Sequence, residues 1–298
     1  MDSWKGISES LPLEVHHDVY STIDPTALCA SQSFTGKGVF ITGASRGIGR
    51  ATAIVFAKAG ASVAIAARSS HLLDETREEI LKQVPTANVE KYTVDVRQTK
   101  SVQEAVDKAA KTFGRLNVVI ANAGFVTPFA GTMDEDDPSS WWNTHEVNVF
   151  GTYNTLRASA KYLRETNGHF IAVTSIAAQW RIPGGSAYGV SKHAINRLIE
   201  FIAQGTYREN PTIKAFSLDP GATRTHMYDE CRVEALGIPP LDSLELSAAT
   251  MLYLANGGAD WLSGRYVSAQ WDLGQVEREW KEKITEKDLL VNKLNVIS

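Results

Sequence analysis

Seven short apolar runs, set apart by longer segments of helical periodicity, constrain this 298-residue chain more than anything else in it. The runs cover 38–42, 62–67, 89–94, 118–121, 170–174, 213–218 and 266–268. They are β-branched and non-alternating, as expected of strands covered on both faces. Helix-like segments at 47–58, 70–83, 100–113, 139–165, 186–209 and 247–256 lie between them. Such alternation implies right-handed βαβ units: an α/β fold with a doubly wound, parallel, seven-stranded sheet and helices on both faces.

Composition narrows the class. Apolar residues make up 43% and charged residues 21%, which excludes a disordered or collagen-like chain. Thirty Lys+Arg against 34 Asp+Glu leave a net charge of −4, so there is no electrostatic case for gripping nucleic acid. Two cysteines, Cys29 and Cys231, are too few for a disulfide framework and read as small buried hydrophobes. No apolar run approaches the ~20 residues of a membrane span. No apolar stretch follows the first residues as a signal peptide requires, and a cytoplasmic protein is expected.

The segments outside the alternation are less informative. Residues 1–35 read as a polar N-terminal extension wrapped on a body spanning 36–276. Within it His16 and His17 are expected in solvent and without a metal, since adjacent side chains point apart and no third ligand stands nearby. Residues 222–246 read as an irregular lid or substrate loop. The tail 277–298 begins with a mixed-charge surface helix over 277–289. The acidic run 134–137 reads as a solvated loop. Trp141 and Trp142 are expected to give one ring to packing and one to an interface.

The strongest local signal is Thr42-Gly43-Ala44-Ser45-Arg46-Gly47-Ile48-Gly49, between the first strand and the first helix. Gly43 permits the tight turn, Gly47 lets the backbone approach a pyrophosphate, and Gly49 lets the helix pack on the strand. Ser45, Arg46 and Ile48 complete this phosphate-facing turn, and the helix N-terminus offers free N–H groups to an anion. The second strand ends Ala66-Ala67-Arg68, with no acid to receive a ribose 2′-hydroxyl. Arg68, with Arg46 opposite, suits a 2′-phosphate, so the expected cofactor is NADP(H).

Ser175 follows the fifth strand, and Tyr188 and Lys192 stand at i and i+4 on one helix face. An ammonium beside a phenol is expected to lower its pKa and make the pair an acid/base.

Taken together these residues resemble the short-chain dehydrogenases/reductases over roughly 36–273. The carriers are the glycine turn, Asp95, Asn122-Ala123-Gly124, Asn148, Ser175, Tyr188-x-x-x-Lys192 and Pro220-Gly221-x-x-x-Thr225. The ending Trp261-Leu262-Ser263-Gly264-Arg265-Tyr266-Val267-Ser268 is most similar to filamentous-fungal members. The resemblance implies a Rossmann-type fold and the catalytic set Asn148, Ser175, Tyr188 and Lys192. It places Asp95 and the Val96 N–H at adenine and Asn122, Ala123 and Gly124 at the adenine ribose. Tyr188 and Lys192 would also bond the nicotinamide ribose, with Pro220, Gly221, Thr223 and Thr225 at the carboxamide and pyrophosphate. Asn148 would hold a water that links Lys192 to solvent.

The implied activity is hydride exchange between NADPH and a ketone or secondary alcohol, with an apolar or ring-bearing substrate favoured by the residues of 222–246. A homodimer or homotetramer is implied through the fourth and fifth helices. The alternatives are an NAD-dependent alcohol dehydrogenase and a cofactor-binding regulator without chemistry. Two departures stand out: residues 1–35 lie outside the family core, and Gln270-Trp271-Asp272-Leu273 replaces the family's Asp-Gly-Gly after the last strand.

Overall fold

The computed structural model describes residues 6, 10–129, 132–204 and 213–294. After a short helix α1 (Thr26–Ala30) come β1 (Gly38–Thr42), α2 (Gly47–Lys58), β2 (Ser62–Ala67), α3 (Ser70–Gln83), β3 (Val89–Thr93), α4 (Thr99–Phe113) and β4 (Val118–Ala121). There follow α5 (Pro138–His145), a π-helical turn (Glu146–Phe150), α6 (Gly151–Thr166), β5 (His169–Val173), α7 (Ser186–Ala203) and β6 (Lys214–Asp219). The last elements are α8 (His226–Glu230), α9 (Leu244–Ala255), β7 (Arg265–Ser268), α10 (Leu273–Gln275) and α11 (Lys281–Glu286).

The seven strands pair in parallel in the order β3-β2-β1-β4-β5-β6-β7. Chain order reverses between β1 and β4, which opens a crevice at the strand C-termini there. All five residues of β1 are buried, because helices cover both faces. One layer packs Phe34, Phe56 and Leu252 against the sheet, and the other packs Phe40, Val106, Leu163 and Ile195. In α4 the buried stripe Val102, Ala105, Val106, Ala109 and Ala110 follows the i, i+3, i+4 rhythm of a helix on a sheet.

The two edges differ. β3 alternates in burial, as an edge strand with a solvated side does. β7 is buried because other chain covers it: Tyr266 N–H donates to the Leu290 carbonyl, and Trp271 forms an antiparallel bridge with Val15.

Several expectations are revised. The helix expected over 139–165 is interrupted by the π turn, whose wider backbone ring turns Asn148 into full burial. The helix expected over 186–209 reaches Ala203, and 205–209 lie outside the described residues. The stretch 222–246 is not irregular. Thr225 Oγ1 caps α8 by accepting from Tyr228 N–H, a 3₁₀ turn spans Val233–Leu236, and Ser243 caps α9.

The C-terminal run starts earlier than expected, capped by Asp272, and fully buries Val276 and Ile284. Cys231 is buried, but Cys29 only half so. The acidic run is partly structural: Asp137 caps α5 and Asp136 accepts from Ser186. Trp141 donates to Ser186, while Trp142 is 59% exposed.

His17 is exposed, as expected, while His16 is half-buried. The rings do point apart, but each finds a carboxylate. His16 meets Asp272 at 3.2 Å and stacks on Tyr20, and His17 meets Asp242 at 2.7 Å. A third group also stands near, since Glu14, His16 and Asp272 bring ligand atoms within 4.8 Å of one another. Asp272 is already committed there to His16 and to the cap of α10.

Candidate active site

A cleft of about 580 Å³ opens where the strand order reverses. The glycine turn forms its floor. Gly43 and Gly47 adopt φ of +67° and +55°, which side chains with a Cβ avoid. Asn122 fastens the turn from the neighbouring strand end, its amide donating to the Thr42 and Gly43 carbonyls at 3.0 Å each. Thr42 Oγ1 accepts in return from the N–H groups of Asn122 and Ala123. Gly49 lies behind the turn, where a Cβ would stand 2.6 Å from the Asn122 amide nitrogen. Arg50, which sequence reasoning missed, braces the turn by donating to the Ser45 carbonyl at 2.7 Å.

The first turn of α2 receives no side-chain cap, so its N–H groups face the cleft between Arg46, Ile48 and Thr225. Arg46 and Arg68 both line the cleft, and neither guanidinium hydrogen-bonds another described residue, although the Arg68 charge helps to lower the Asp95 carboxyl. Asp95 and Val96 lie at its outer wall. The Asp95 carboxylate is gripped by the Arg97 guanidinium at 2.6–3.1 Å, which holds it below the usual carboxylate range. Arg97, two residues on, is a partner of Asp95 that sequence reasoning missed.

The inner end of the cleft brings Ser175, Tyr188 and Lys192 together. Ser175 follows β5 and lines the cleft beside the Tyr188 phenol, and its Oγ accepts from Ala177 N–H. Lys192 is 3% exposed, with Nζ donating to the Val173 carbonyl at 2.8 Å and standing 5.4 Å from the Tyr188 ring centre. Burial pushes the Lys192 ammonium down to about 8 against the pull of Asp219. The Tyr188 phenol is raised, not lowered as the sequence suggested. Burial dominates, and the neighbouring Ser175 hydroxyl opposes it only in part. Phe129 meets Tyr188 edge-on at 6.3 Å and Met227 adds a thioether, so the wall beside the phenol is apolar.

Asn148 stands behind this group. Its amide donates to the Phe125 carbonyl and to Ser191 Oγ, and its Oδ1 accepts from Phe125 N–H. A Cβ on Gly124 would stand 3.6 Å from Asn148 Oδ1 and 3.7 Å from Lys192 Nζ, which fixes how close the two lie. Both amide hydrogens of Asn148 and one lone pair of its Oδ1 are thus used as a brace.

Pro220 and Gly221 line the cleft after β6, and Thr225 closes it opposite Gly47. Thr223 is not in the lining, but its Oγ1 is buried without a hydrogen-bond partner. The uncapped helix end and two exposed arginine side chains beside it fit a bound phosphate-bearing cofactor.

Asp219 was also missed. It closes β6 just before Pro220, is 2% exposed, and accepts from Ile176 N–H and Ser268 Oγ. Burial raises its carboxyl. An acid at a strand C-terminus directly before Pro-Gly was the available signal.

Residues 37–235 match the short chain dehydrogenase family. A short chain dehydrogenase of Monascus purpureus, mpl6, is 39% identical over 94% of this chain and 95% of its own. Carveol dehydrogenase of Mycobacterium avium, crystallised with NAD, superposes with a TM-score of 0.71 at 21% identity, covering 78% of this chain and 96% of its own. Levodione reductase superposes with a TM-score of 0.73 at 23% identity, covering 83% and 100%.

Proposed function

The chain belongs to the short chain dehydrogenase family, and from that premise we propose that it is an NADPH-dependent carbonyl reductase, reversible as a secondary-alcohol dehydrogenase. One observation carries this reading. A half-buried Ser175 and Tyr188 beside the buried Lys192 stand at the inner end of a cleft whose outer end presents Arg46 and Arg68. The body 36–276 holds the whole site, with 1–35 and 277–298 as accessory segments. Among the described residues no helix is long and apolar enough to cross a membrane, and we place the enzyme in the cytoplasm.

The cofactor, when bound, supplies or accepts the hydride at a carbonyl carbon. Gly43, Ser45, Gly47, Ile48 and the helix end would hold its pyrophosphate, with Gly49 letting the helix approach. Asp95, Val96, Asn122, Ala123 and Gly124 would line the adenosine. Pro220, Gly221, Thr223 and Thr225 would border the nicotinamide half. Ser175 and Tyr188 bind the substrate oxygen, where negative charge grows in the transition state and fixed donors matter most.

Tyr188 gives the proton. Its raised pKa keeps that proton in place at neutral pH and favours reduction. Lys192 stabilises the phenolate left behind, and Asn148 holds the surrounding backbone in position. The apolar wall of Phe129 and Met227 favours an apolar or ring-bearing ketone.

The NAD-dependent reading has one observation behind it, the NAD bound to carveol dehydrogenase. Against it stand Ala67, where a ribose-binding acid is usual, and the two exposed arginines Arg46 and Arg68 in the cleft lining. A non-catalytic regulator would need none of the proton machinery.

The test of the chemistry is Tyr188→Phe, assayed by NADPH oxidation against a panel of ring-bearing ketones. We expect a fall in kcat on the order of 10²-fold or more, with NADPH affinity little changed. Near-parental turnover would remove Tyr188 as the acid.

The pH dependence follows from Lys192. A cation whose pKa is pushed down to about 8 keeps its charge below that pH and loses it above. Reduction needs that charge, so kcat/KM for NADPH should be flat below about 8 and fall above it. A profile still flat at pH 10 would contradict this role.

Cofactor choice is tested by Arg46→Ala with Arg68→Ala. At these exposed positions each contact to a 2′-phosphate is worth roughly 1.5 kcal/mol. Since about 1.4 kcal/mol is tenfold, NADPH should weaken on the order of a hundredfold and NADH hardly at all. Equal losses for both, or parental protein binding them equally, would overturn NADP specificity.

A homodimer or homotetramer with two-fold symmetry completes the proposal. Trp142, Phe150, Tyr153, Val190 and Phe201 are exposed large hydrophobics on α5, the π turn, α6 and α7. Light scattering should show a multiple of 32.6 kDa that falls towards it in Phe150→Glu with Phe201→Glu. Parental protein at 32.6 kDa would exclude the assembly.

A further inference from the structure

The substrate loop leaves β6 at Pro220 and returns to the body at Asp242, and its two ends meet on one carboxylate. Asp242, whose side chain is fully buried, accepts from Ala222 N–H at 2.5 Å and from Gln270 Nε2 at 3.0 and 3.1 Å. Its own N–H donates to the Ala222 carbonyl, and Thr223 bridges to it in parallel. Gly221 Cα lies so close that any Cβ would press into the carboxylate. The remaining ligand of Asp242 comes from outside both β6 and the loop: His17 Nδ1, at 2.7 Å.

The segment that delivers His17 is docked residue by residue. His16 N–H donates to the Gln270 carbonyl, and Ser243 N–H donates to the His17 carbonyl. Asp18 Oδ1 accepts from Ser243 Oγ, and His16 meets Asp272. The two departures from the family pattern therefore serve each other. The extension lies outside the family core, and Gln270-Trp271-Asp272 replaces Asp-Gly-Gly. Gln270 and His17 hold the same carboxylate, while Trp271 and Asp272 receive Val15 and His16.

We propose that His17 and Gln270 are positioning residues that clamp Asp242, and through it the base of the loop carrying Thr223 and Thr225. The effect on cofactor rests on the reading of the cleft as an NADPH site. The clamp itself does not. Closing a loop costs entropy that grows with its length, so a fixed base removes freedom from every residue beyond it. His17 touches no reacting atom, and its loss should act on binding more than on turnover.

The experiment compares His17→Ala, His17→Asn and His16→Ala in the full chain. The Asn amide nitrogen takes the place of Nδ1. His16→Ala removes an anchor of the same segment that touches nothing in the loop. Two readouts are taken: tryptic cleavage after the exposed Arg224 and Arg232 in cofactor-free protein, and the KM of NADPH beside kcat.

Losing one hydrogen bond to a buried carboxylate should speed loop cleavage about tenfold in His17→Ala, and raise the NADPH KM about five- to tenfold with kcat within about threefold. His17→Asn and His16→Ala should stay within about twofold of the parent. Unchanged cleavage in His17→Ala, or an equal effect of His16→Ala, would overturn the clamp. Faster cleavage with an unmoved NADPH KM would overturn its positioning role. Parental protein without NADPH-dependent turnover would remove the enzymatic reading, and the cleavage rates would still decide the clamp.

Discussion

A parallel sheet ends all its strands at one edge, and the backbone groups there have no further strand to pair with. Every feature of the site is an answer to that constraint. At β1 and β4 the answer is a mutual lock, with Asn122 donating to Thr42 and Gly43 and Thr42 accepting from Asn122 and Ala123. At β5 and β6 it is Asp219, which receives the Ile176 N–H and ties it to β7 through Ser268. Such partners hold the strand ends because their hydrogen bonds are satisfied. The cleft inherits that support.

Burial also decides the electrostatics. Lys192 and Asp219 are both withdrawn from water and each is pushed towards neutrality, the ammonium down and the carboxyl up. Tyr188 is pushed the same way, towards its protonated form. A sequence places Tyr188 and Lys192 on one helix face, but it does not report how dry that face is. Hence the expected lowering of the phenol by its ammonium neighbour was reversed. The Lys192 Nζ turns to the Val173 carbonyl, and desolvation outweighs the charge that remains nearby.

Local signals with one strong physical cause were legible. β1, β2 and β4 fall where their apolar runs stand, and α2 and α3 begin and end where the glycine turn and Ser69 direct. Weaker or non-local causes were not. The π turn before Gly151 depends on packing that no residue periodicity carries. The caps Thr225 and Ser243 were written in the chain, yet a run of prolines and mixed polar residues around them read as irregular. Arg97 and Asp219 each needed one more step of reasoning, from a named carboxylate to its donor and from Pro-Gly to the residue before it. The carboxylate partners of His16 and His17 were not legible because they lie 256 and 225 residues away.

Those separations bear on the order in which the molecule is made. A ribosome releases the N-terminal segment first, but Asp242, Gln270 and Asp272 come last. Val15 to Asp18 therefore wait, undocked, while six of the seven strands are synthesised. Contacts of such long range close late and slowly. The contacts that fasten the base of the loop between β6 and α9 thus join residues from before the first strand to residues beyond the sixth and seventh.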